Sequence, residues 1–137
     1  MVAEPGRLVL VIDDDEDVRA FLSALIKKEG WRAETADDGA EGERKALALK
    51  PDLIVLDLML PRYGGFELLK RLQGAERSPT PIVVVTGRYM DGSTAEMIRQ
   101  ESNVVEFLEK PVQAARFILA LRRTLGPGSA AGDVTEA

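Results

Sequence analysis

Three short runs of apolar residues carry no polar alternation, a pattern typical of strands that are buried on both faces of a parallel sheet. They cover residues 8–12, 53–56 and 82–85. Two further strands are predicted at residues 31–36 and 104–108, and the first of these is polar enough to lie at an edge. The run at residues 53–56 meets the carboxylate of Asp57 and ends before Pro61, which cannot continue a central strand.

The segments between these strands place apolar residues at helical spacing. A first helix is predicted to start in the acidic stretch at residues 13–17 and to end at Gly30, because Asp caps helix starts and Gly ends helices. Its apolar positions are Val18, Phe21, Leu22, Leu25 and Ile26. A second helix is predicted at residues 40–50, and a third carries Phe66, Leu69 and Leu72.

Two more helices follow in the second half of the chain. A capping box at residues 93–96 predicts a fourth helix that runs to about residue 101. A fifth ends at Gly126 and has core positions at Ala114, Phe117, Ile118, Leu121 and Leu125. We expect residues 1–126 to form one domain, and the small, polar residues 127–137 to form a flexible tail.

Five strands that alternate with five helices predict an α/β fold, a doubly wound parallel sheet with helices on both faces. Right-handed crossovers bring the carboxyl ends of all five strands to one edge of such a sheet. That edge is the usual ligand position in open α/β folds. Asp13, Asp14, Asp57, Thr86 and Lys110 each follow a strand run closely, so all five are expected there.

This grouping predicts phosphoryl chemistry at a metal site. Crowded carboxylates need a compensating cation, and three acids without nitrogen or sulfur ligands favour Mg²⁺. A carboxylate such as Asp57 can attack phosphorus, and Lys110 and Thr86 can contact the transferred oxygens. Taken singly, each residue has a plainer explanation: a helix-capping or strand-ending Asp, a turn Thr or a surface Lys.

The amino-acid composition excludes several kinds of catalytic and binding function. The 137-residue chain contains neither Cys nor His, which excludes thiol nucleophiles, disulfides and imidazole bases. The net charge is −5, and no Lys/Arg run suits direct nucleic-acid binding. No apolar run predicts a membrane span or a secretory signal, so a cytoplasmic location is expected.

The motifs VIDDD at residues 11–15, LDLMLP at residues 56–61, Gly65, VTG at residues 85–87 and Lys110-Pro111 occur in a specific order. Over about residues 7–125 the chain therefore resembles the receiver domain of two-component response regulators, close to the single-domain chemotaxis type. The resemblance implies a flavodoxin-like fold with strand order 2-1-3-4-5. It also implies a signalling module whose only chemistry is its own phosphorylation and dephosphorylation.

The resemblance also implies roles for individual residues. Asp57 would accept a phosphoryl group from the phosphohistidine of a sensor kinase or phosphotransfer protein. Asp14, Asp57 and the backbone carbonyl of Met59 would bind Mg²⁺ directly, and Asp13 would act through a metal-bound water. Lys110 would pair with the phosphoryl oxygens.

The switch would follow from this phosphorylation. Thr86 would move to hydrogen-bond a phosphoryl oxygen, and the ring of Phe107 would turn inward. The face made by the fourth helix, the fifth strand and the fifth helix would then bind a downstream protein. From the sequence alone, Phe107 is equally well explained as an ordinary core aromatic residue.

Some positions depart from the family pattern. Gly64 replaces a frequent Asp, and Ser102-Asn103 replaces a frequent Gly-Ala beside the switch. Met59 and Arg88 stand where side chains flank the phosphoryl group, and we expect them to slow self-dephosphorylation.

Two other functions stay open at this point. One is a receiver fold used as a constitutive binding module. The other is a haloacid-dehalogenase-type phosphohydrolase, although residues 13–17 lack the Thr or Val of that motif and no cap domain is inserted.

Overall fold

A computed structural model describes residues 6–59, 65–74, 80–87, 96, 103–126 and 128. The strands are β1 (Leu8–Ile12), β2 (Arg32–Ala36), β3 (Leu53–Asp57), β4 (Ile82–Thr86) and β5 (Val104–Glu109). The helices are α1 (Glu16–Lys28), α2 (Gly39–Leu49), α3 (Gly65–Gly74) and a C-terminal helix (Ala114–Leu125). These bounds agree with the predicted segments to within one or two residues.

All five strands pair in parallel and form one sheet in the order β2-β1-β3-β4-β5. The predicted doubly wound fold and its strand order are therefore confirmed. β2 lies at an edge, as its polar sequence indicates, and the outward positions Arg32 and Glu34 are exposed.

The apolar strands bury both of their faces, and alternate residues supply two separate cores. On one face, Val9, Val55 and Val83 pack with α1 and with the C-terminal helix. On the other, Leu10 and Ile54 pack with side chains of α2 and α3. Two layers of helices thus cover the two faces of the sheet.

The predicted apolar faces are mostly buried, with two corrections. Phe21 is 45% exposed, because it lies at the edge of the α1 stripe beside Pro111 and Val112. Ala114 is exposed in the first turn of the C-terminal helix, whereas Ala120 packs in the core.

The pairing of β5 with β4 contains an irregularity. Ile82 pairs with Val104, but Val83 pairs with Glu106, so Val105 is an extra residue in β5. As a result Val104 and Phe107, three positions apart, pack against the same core. Just before the strand, buried Asn103 donates from its side chain to the carbonyl of Thr80 at 3.1 Å.

Several predicted features lie outside the described residues: the fourth helix, Gly64, the side chain of Phe66, Arg88, Ser102 and nearly all of the tail at residues 127–137. Among the helices that are described, none is both long and apolar enough to cross a membrane.

The close contact between α2 and β1 gives a test of the fold. A Cβ added at Gly42 would lie 2.7 Å from Cδ1 of the fully buried Ile12. We expect Gly42→Val to lower the free energy of unfolding by about 1–3 kcal/mol, the usual cost of overpacking a core. The matched control Ala48→Val, on the exposed side of α2, should cost only about 0.6 kcal/mol in helix propensity. Urea unfolding of the two variants measures the difference, and equal losses would contradict the contact.

Candidate functional site

The order of the strands brings two buried carboxylates together. β1 and β3 are neighbours, and their pairing ends with Ile12 opposite Leu56. The next residue on each strand is an acid, Asp13 and Asp57, and each is only 2% exposed. Both acids therefore occupy the carboxyl edge of the sheet, where the sequence predicts the site.

Lys110 follows β5 and reaches across β4 to both acids. Its backbone N–H donates to the Thr86 carbonyl at 2.8 Å, which holds the residue at the end of the sheet. Its Nζ lies 3.0 Å from Oδ2 of Asp13 and 3.3 Å from Oδ2 of Asp57. One ammonium group therefore offsets part of the charge of two buried carboxylates.

Asp14 completes a cluster of three acids. One carboxylate oxygen from each of Asp13, Asp14 and Asp57 lies within 4.8 Å of the others. Asp14 is exposed, whereas its two neighbours in the cluster are buried. An all-oxygen set that is open to solvent on one side suits a hard divalent cation that keeps several waters, and Mg²⁺ is such an ion.

Backbone groups fix the orientation of the two buried acids. Oδ1 of Asp13 accepts from the N–H of Asp15 at 2.8 Å, and Oδ1 of Asp57 accepts from the N–H of Met59 at 2.9 Å. In both carboxylates the second oxygen faces Lys110. Asp15 in turn caps α1, because its side chain accepts from the N–H groups of Asp17 and Val18.

Thr86 lies at the end of β4, between the strands that carry Asp57 and Lys110. Its hydroxyl oxygen is buried and has no hydrogen-bond partner within the described part of the chain. A buried hydroxyl without a partner is unfavourable and can accept or donate a new bond if one comes within reach. Phe107 is half-buried against the core that includes α3, and its backbone pairs with Val84.

Arg19 is a neighbour of the site that sequence reasoning missed. Its Nη1 donates to the backbone carbonyl of Asp13 at 2.7 Å. The sequence hints at this contact in one way only: Arg19 lies one turn into a helix that begins after a run of acids. Side chains on a helix lean towards its start.

At this site, burial and the neighbouring charged groups have opposing effects on the pKa values of Asp57 and Lys110. Burial raises the pKa of Asp57 above its ordinary value of 3.8; the Met59 N–H opposes the rise, Asp13 adds to it and Lys110 opposes it. Burial lowers the pKa of Lys110, but its hydrogen bond to Asp13 and the charges of Asp57 and Asp13 outweigh this and leave it above 10.5. The site therefore holds an ammonium group beside the carboxyl group of Asp57, whose ionised form is disfavoured by burial.

Comparison with known proteins identifies the class of domain that has this fold and site. Residues 9–122 match the family model described as "Response regulator receiver domain". The chain belongs to this family, which confirms the resemblance seen in the sequence. A chemotaxis protein, CheY4 of Vibrio cholerae, has a similar structure, with a TM-score of 0.77 and 28% identity over 88% of this chain and 99% of that one.

Similar sequences occur within longer proteins. The transcriptional regulatory protein AfsQ1 of Streptomyces coelicolor is 35% identical over 119 residues, which cover 84% of this chain and 51% of that protein. A protein-glutamate methylesterase/protein-glutamine glutaminase of Archaeoglobus fulgidus is 36% identical over 104 residues, 75% of this chain and 29% of that protein. The chain spans about half the length of the transcriptional regulator and less of the methylesterase.

The raised pKa of Asp57 predicts how stability changes with pH. The folded state binds this proton more tightly than the unfolded state does, so the wild type loses stability as pH rises above about 4 and through the raised pKa. Asp57→Asn removes this loss and keeps an acceptor for the Met59 N–H. We expect the variant to be more stable at pH 7 without divalent ions, by on the order of 1 kcal/mol.

Urea unfolding at about pH 3.5 and at pH 7 measures the effect. The gain should shrink towards zero at the lower pH, where Asp57 is largely protonated in both states. Asp37→Asn, at an exposed acid, is the control and should change stability by less than about 0.5 kcal/mol at either pH. A destabilised Asp57→Asn at pH 7 would contradict the burial penalty.

Proposed function

We propose that this domain is a phosphorylation switch whose phosphoacceptor is Asp57. The observation that supports this best is the position of Lys110, within 3.3 Å of Asp57 and 3.0 Å of Asp13, beside the exposed acid Asp14. A nucleophilic carboxylate, a cation for the incoming oxygens and an acidic metal site are the parts that phosphoryl transfer to an aspartate requires.

In the proposed reaction, an oxygen of Asp57 forms a bond to the phosphorus of a kinase or phosphotransfer phosphohistidine. The P–N bond breaks, and the imidazole leaves with the electron pair and takes a proton from water. The Met59 N–H holds the other Asp57 oxygen, so the carboxylate keeps one orientation during the attack. The Lys110 ammonium group then pairs with the negatively charged phosphoryl oxygens.

The acids would hold the metal ion. We propose Asp14, Asp57 and the Met59 carbonyl as direct ligands of Mg²⁺, and Asp13 as a ligand through water. When bound, Mg²⁺ supplies charge neutralisation for the phosphoryl oxygens.

The buried hydroxyl of Thr86 would hydrogen-bond a phosphoryl oxygen and so gain the partner that it lacks among the described residues. Phe107 would then turn inward and change the face made by the predicted fourth helix, β5 and the C-terminal helix. We propose that a downstream protein binds this face and that the domain works in the cytoplasm. Any further activity would come from other domains, as the methylesterase relative illustrates.

The two alternative functions have no comparable support. A constitutive binding module does not need three acids, a lysine and a threonine at one edge of the sheet. The family model that matches residues 9–122 describes a receiver domain and not a phosphohydrolase. Turnover of a generic phosphate ester would be required to revive that possibility.

Incubation with a small-molecule phosphodonor and Mg²⁺ tests the proposal. We expect one added phosphoryl group in the wild type by intact-protein mass spectrometry, because Asp57 is the single acceptor that we propose. Asp57→Asn should show none, and removal of Mg²⁺ with a chelator should abolish the reaction in the wild type.

Asp37→Asn serves as the matched control and should be phosphorylated as the wild type is, because Asp37 is exposed after β2 and is not in the acid cluster. Equal phosphorylation of wild type and Asp57→Asn would rule out Asp57 as the acceptor.

The lifetime of the aspartyl phosphate gives a second prediction. Met59 is 62% exposed directly after the site, where a bulky apolar side chain can restrict the approach of water. We expect Met59→Ala to hydrolyse the phosphate several-fold faster, with a difference of about 1 kcal/mol in barrier giving roughly fivefold. Decay of phosphorylated protein, followed by mass spectrometry after removal of the donor, measures it. Arg44→Ala, which changes an exposed residue of α2, is the control and should lose its phosphate at the wild-type rate. An unchanged rate of hydrolysis in Met59→Ala would contradict the proposal that Met59 restricts the approach of water.

A further inference from the structure

Arg19 donates hydrogen bonds to the backbone of residues 13–15, the segment that carries two of the three acids, Asp13 and Asp14. Its Nη1 donates to the carbonyl of Asp13 at 2.7 Å, and its backbone N–H donates to the carbonyl of Asp15 at 3.0 Å. The side chain is partly buried, and it reaches back six positions because α1 begins directly after the acids. A charged donor to a carbonyl makes a stronger bond than a neutral one.

The carbonyl of Asp13 and the N–H of Asp14 belong to one planar peptide unit. A bond that holds this carbonyl therefore also restrains the N–H and the Cα of Asp14. Asp13 makes further contacts: its N–H donates to the Ala36 carbonyl at 3.1 Å, its Oδ1 accepts from the N–H of Asp15 at 2.8 Å, and its Oδ2 lies 3.0 Å from Nζ of Lys110. Asp14 is exposed, so its position depends strongly on the backbone that carries it.

We propose that Arg19 is a positioning residue for the metal site, and that it orients the Asp13–Asp14 peptide so that both acids present oxygens to one divalent cation. This role rests on the Mg²⁺ site proposed above. It goes beyond that site because Arg19 offers no metal ligand and acts only through a backbone carbonyl.

Arg19 can affect metal binding through its hydrogen bond or through its positive charge. Removal of the side chain is expected to change the affinity for the metal ion in opposite directions in the two cases. A guanidinium close to a divalent site repels the ion, so loss of the charge alone would tighten binding. Loss of the hydrogen bond frees the peptide and weakens binding, as happens when residues that support metal ligands are removed. The sign of the change in affinity therefore separates the two effects.

The test is calorimetric titration of Mg²⁺ into the whole chain, with Arg19→Met and Arg19→Lys compared with the wild type. We expect the dissociation constant of Arg19→Met to rise about tenfold, the low end of the range for residues that support metal ligands. Arg19→Lys retains a charged donor and should recover most of the affinity. Arg44→Met is the control, since it also removes one positive charge but from an exposed position on α2.

Phosphorylation by a small-molecule donor supplies a second readout. The half-saturating Mg²⁺ concentration of Arg19→Met should rise in the same ratio, while the rate at saturating Mg²⁺ stays near that of the wild type. A merely structural role would lower thermal stability without this shift, and Arg19→Gln replaces Arg19→Met if the latter does not fold.

Unchanged or tighter Mg²⁺ binding in folded Arg19→Met would overturn the positioning role while leaving the metal site intact. Absence of Mg²⁺ binding in the wild type would instead overturn the metal site itself, and the role of Arg19 with it.

Discussion

The ammonium group of Lys110, set between the carboxylates of Asp13 and Asp57, is the interaction on which the site depends. Two carboxylates that are each 2% exposed repel one another, and without a nearby cation burial would favour their protonation. Lys110 lies 3.0 Å from one and 3.3 Å from the other, so it offsets part of their charge. Burial raises the pKa of Asp57 above its ordinary value, Asp13 adds to the rise, and the nearby Lys110 opposes it.

The parallel sheet makes this arrangement possible. The three residues lie at the carboxyl ends of β1, β3 and β5. Parallel pairing brings these ends to one edge of the sheet, and the pairing of β1 with β3 makes the two acids adjacent. The pairing of Lys110 with the backbone of Thr86 sets the lysine at the height of the acids, and its long side chain spans β4. The apolar strands support the site in this sense, since they pack between two helical layers and carry the acids at their carboxyl ends.

Continuous apolar runs such as residues 53–56 made the strands easy to predict, because a strand buried on both faces has little room for polar residues. The positions of Asp13 and Asp57 could be predicted with them, because each acid comes directly after such a run, and Lys110 follows the predicted fifth strand after one residue. The exposure of Phe21 and the extra residue Val105 could not be predicted, because both depend on how neighbouring elements pack. The bond from Arg19 to a carbonyl six residues earlier leaves almost no trace in the sequence, because any long polar side chain fits that position.

The chain is similar to part of a transcriptional regulatory protein and to part of a protein-glutamate methylesterase/protein-glutamine glutaminase, so this type of domain occurs in proteins with different named functions. The central claim is that three acids and one lysine form a single site for a divalent cation. The anomalous scattering of Mn²⁺ in crystals of the protein tests it most directly. We expect one strong peak within coordination distance of oxygens of Asp14 and Asp57, with Lys110 still beside the acids. A crystal that binds Mn²⁺ elsewhere, with Asp13, Asp14 and Asp57 pointing apart, would contradict the account.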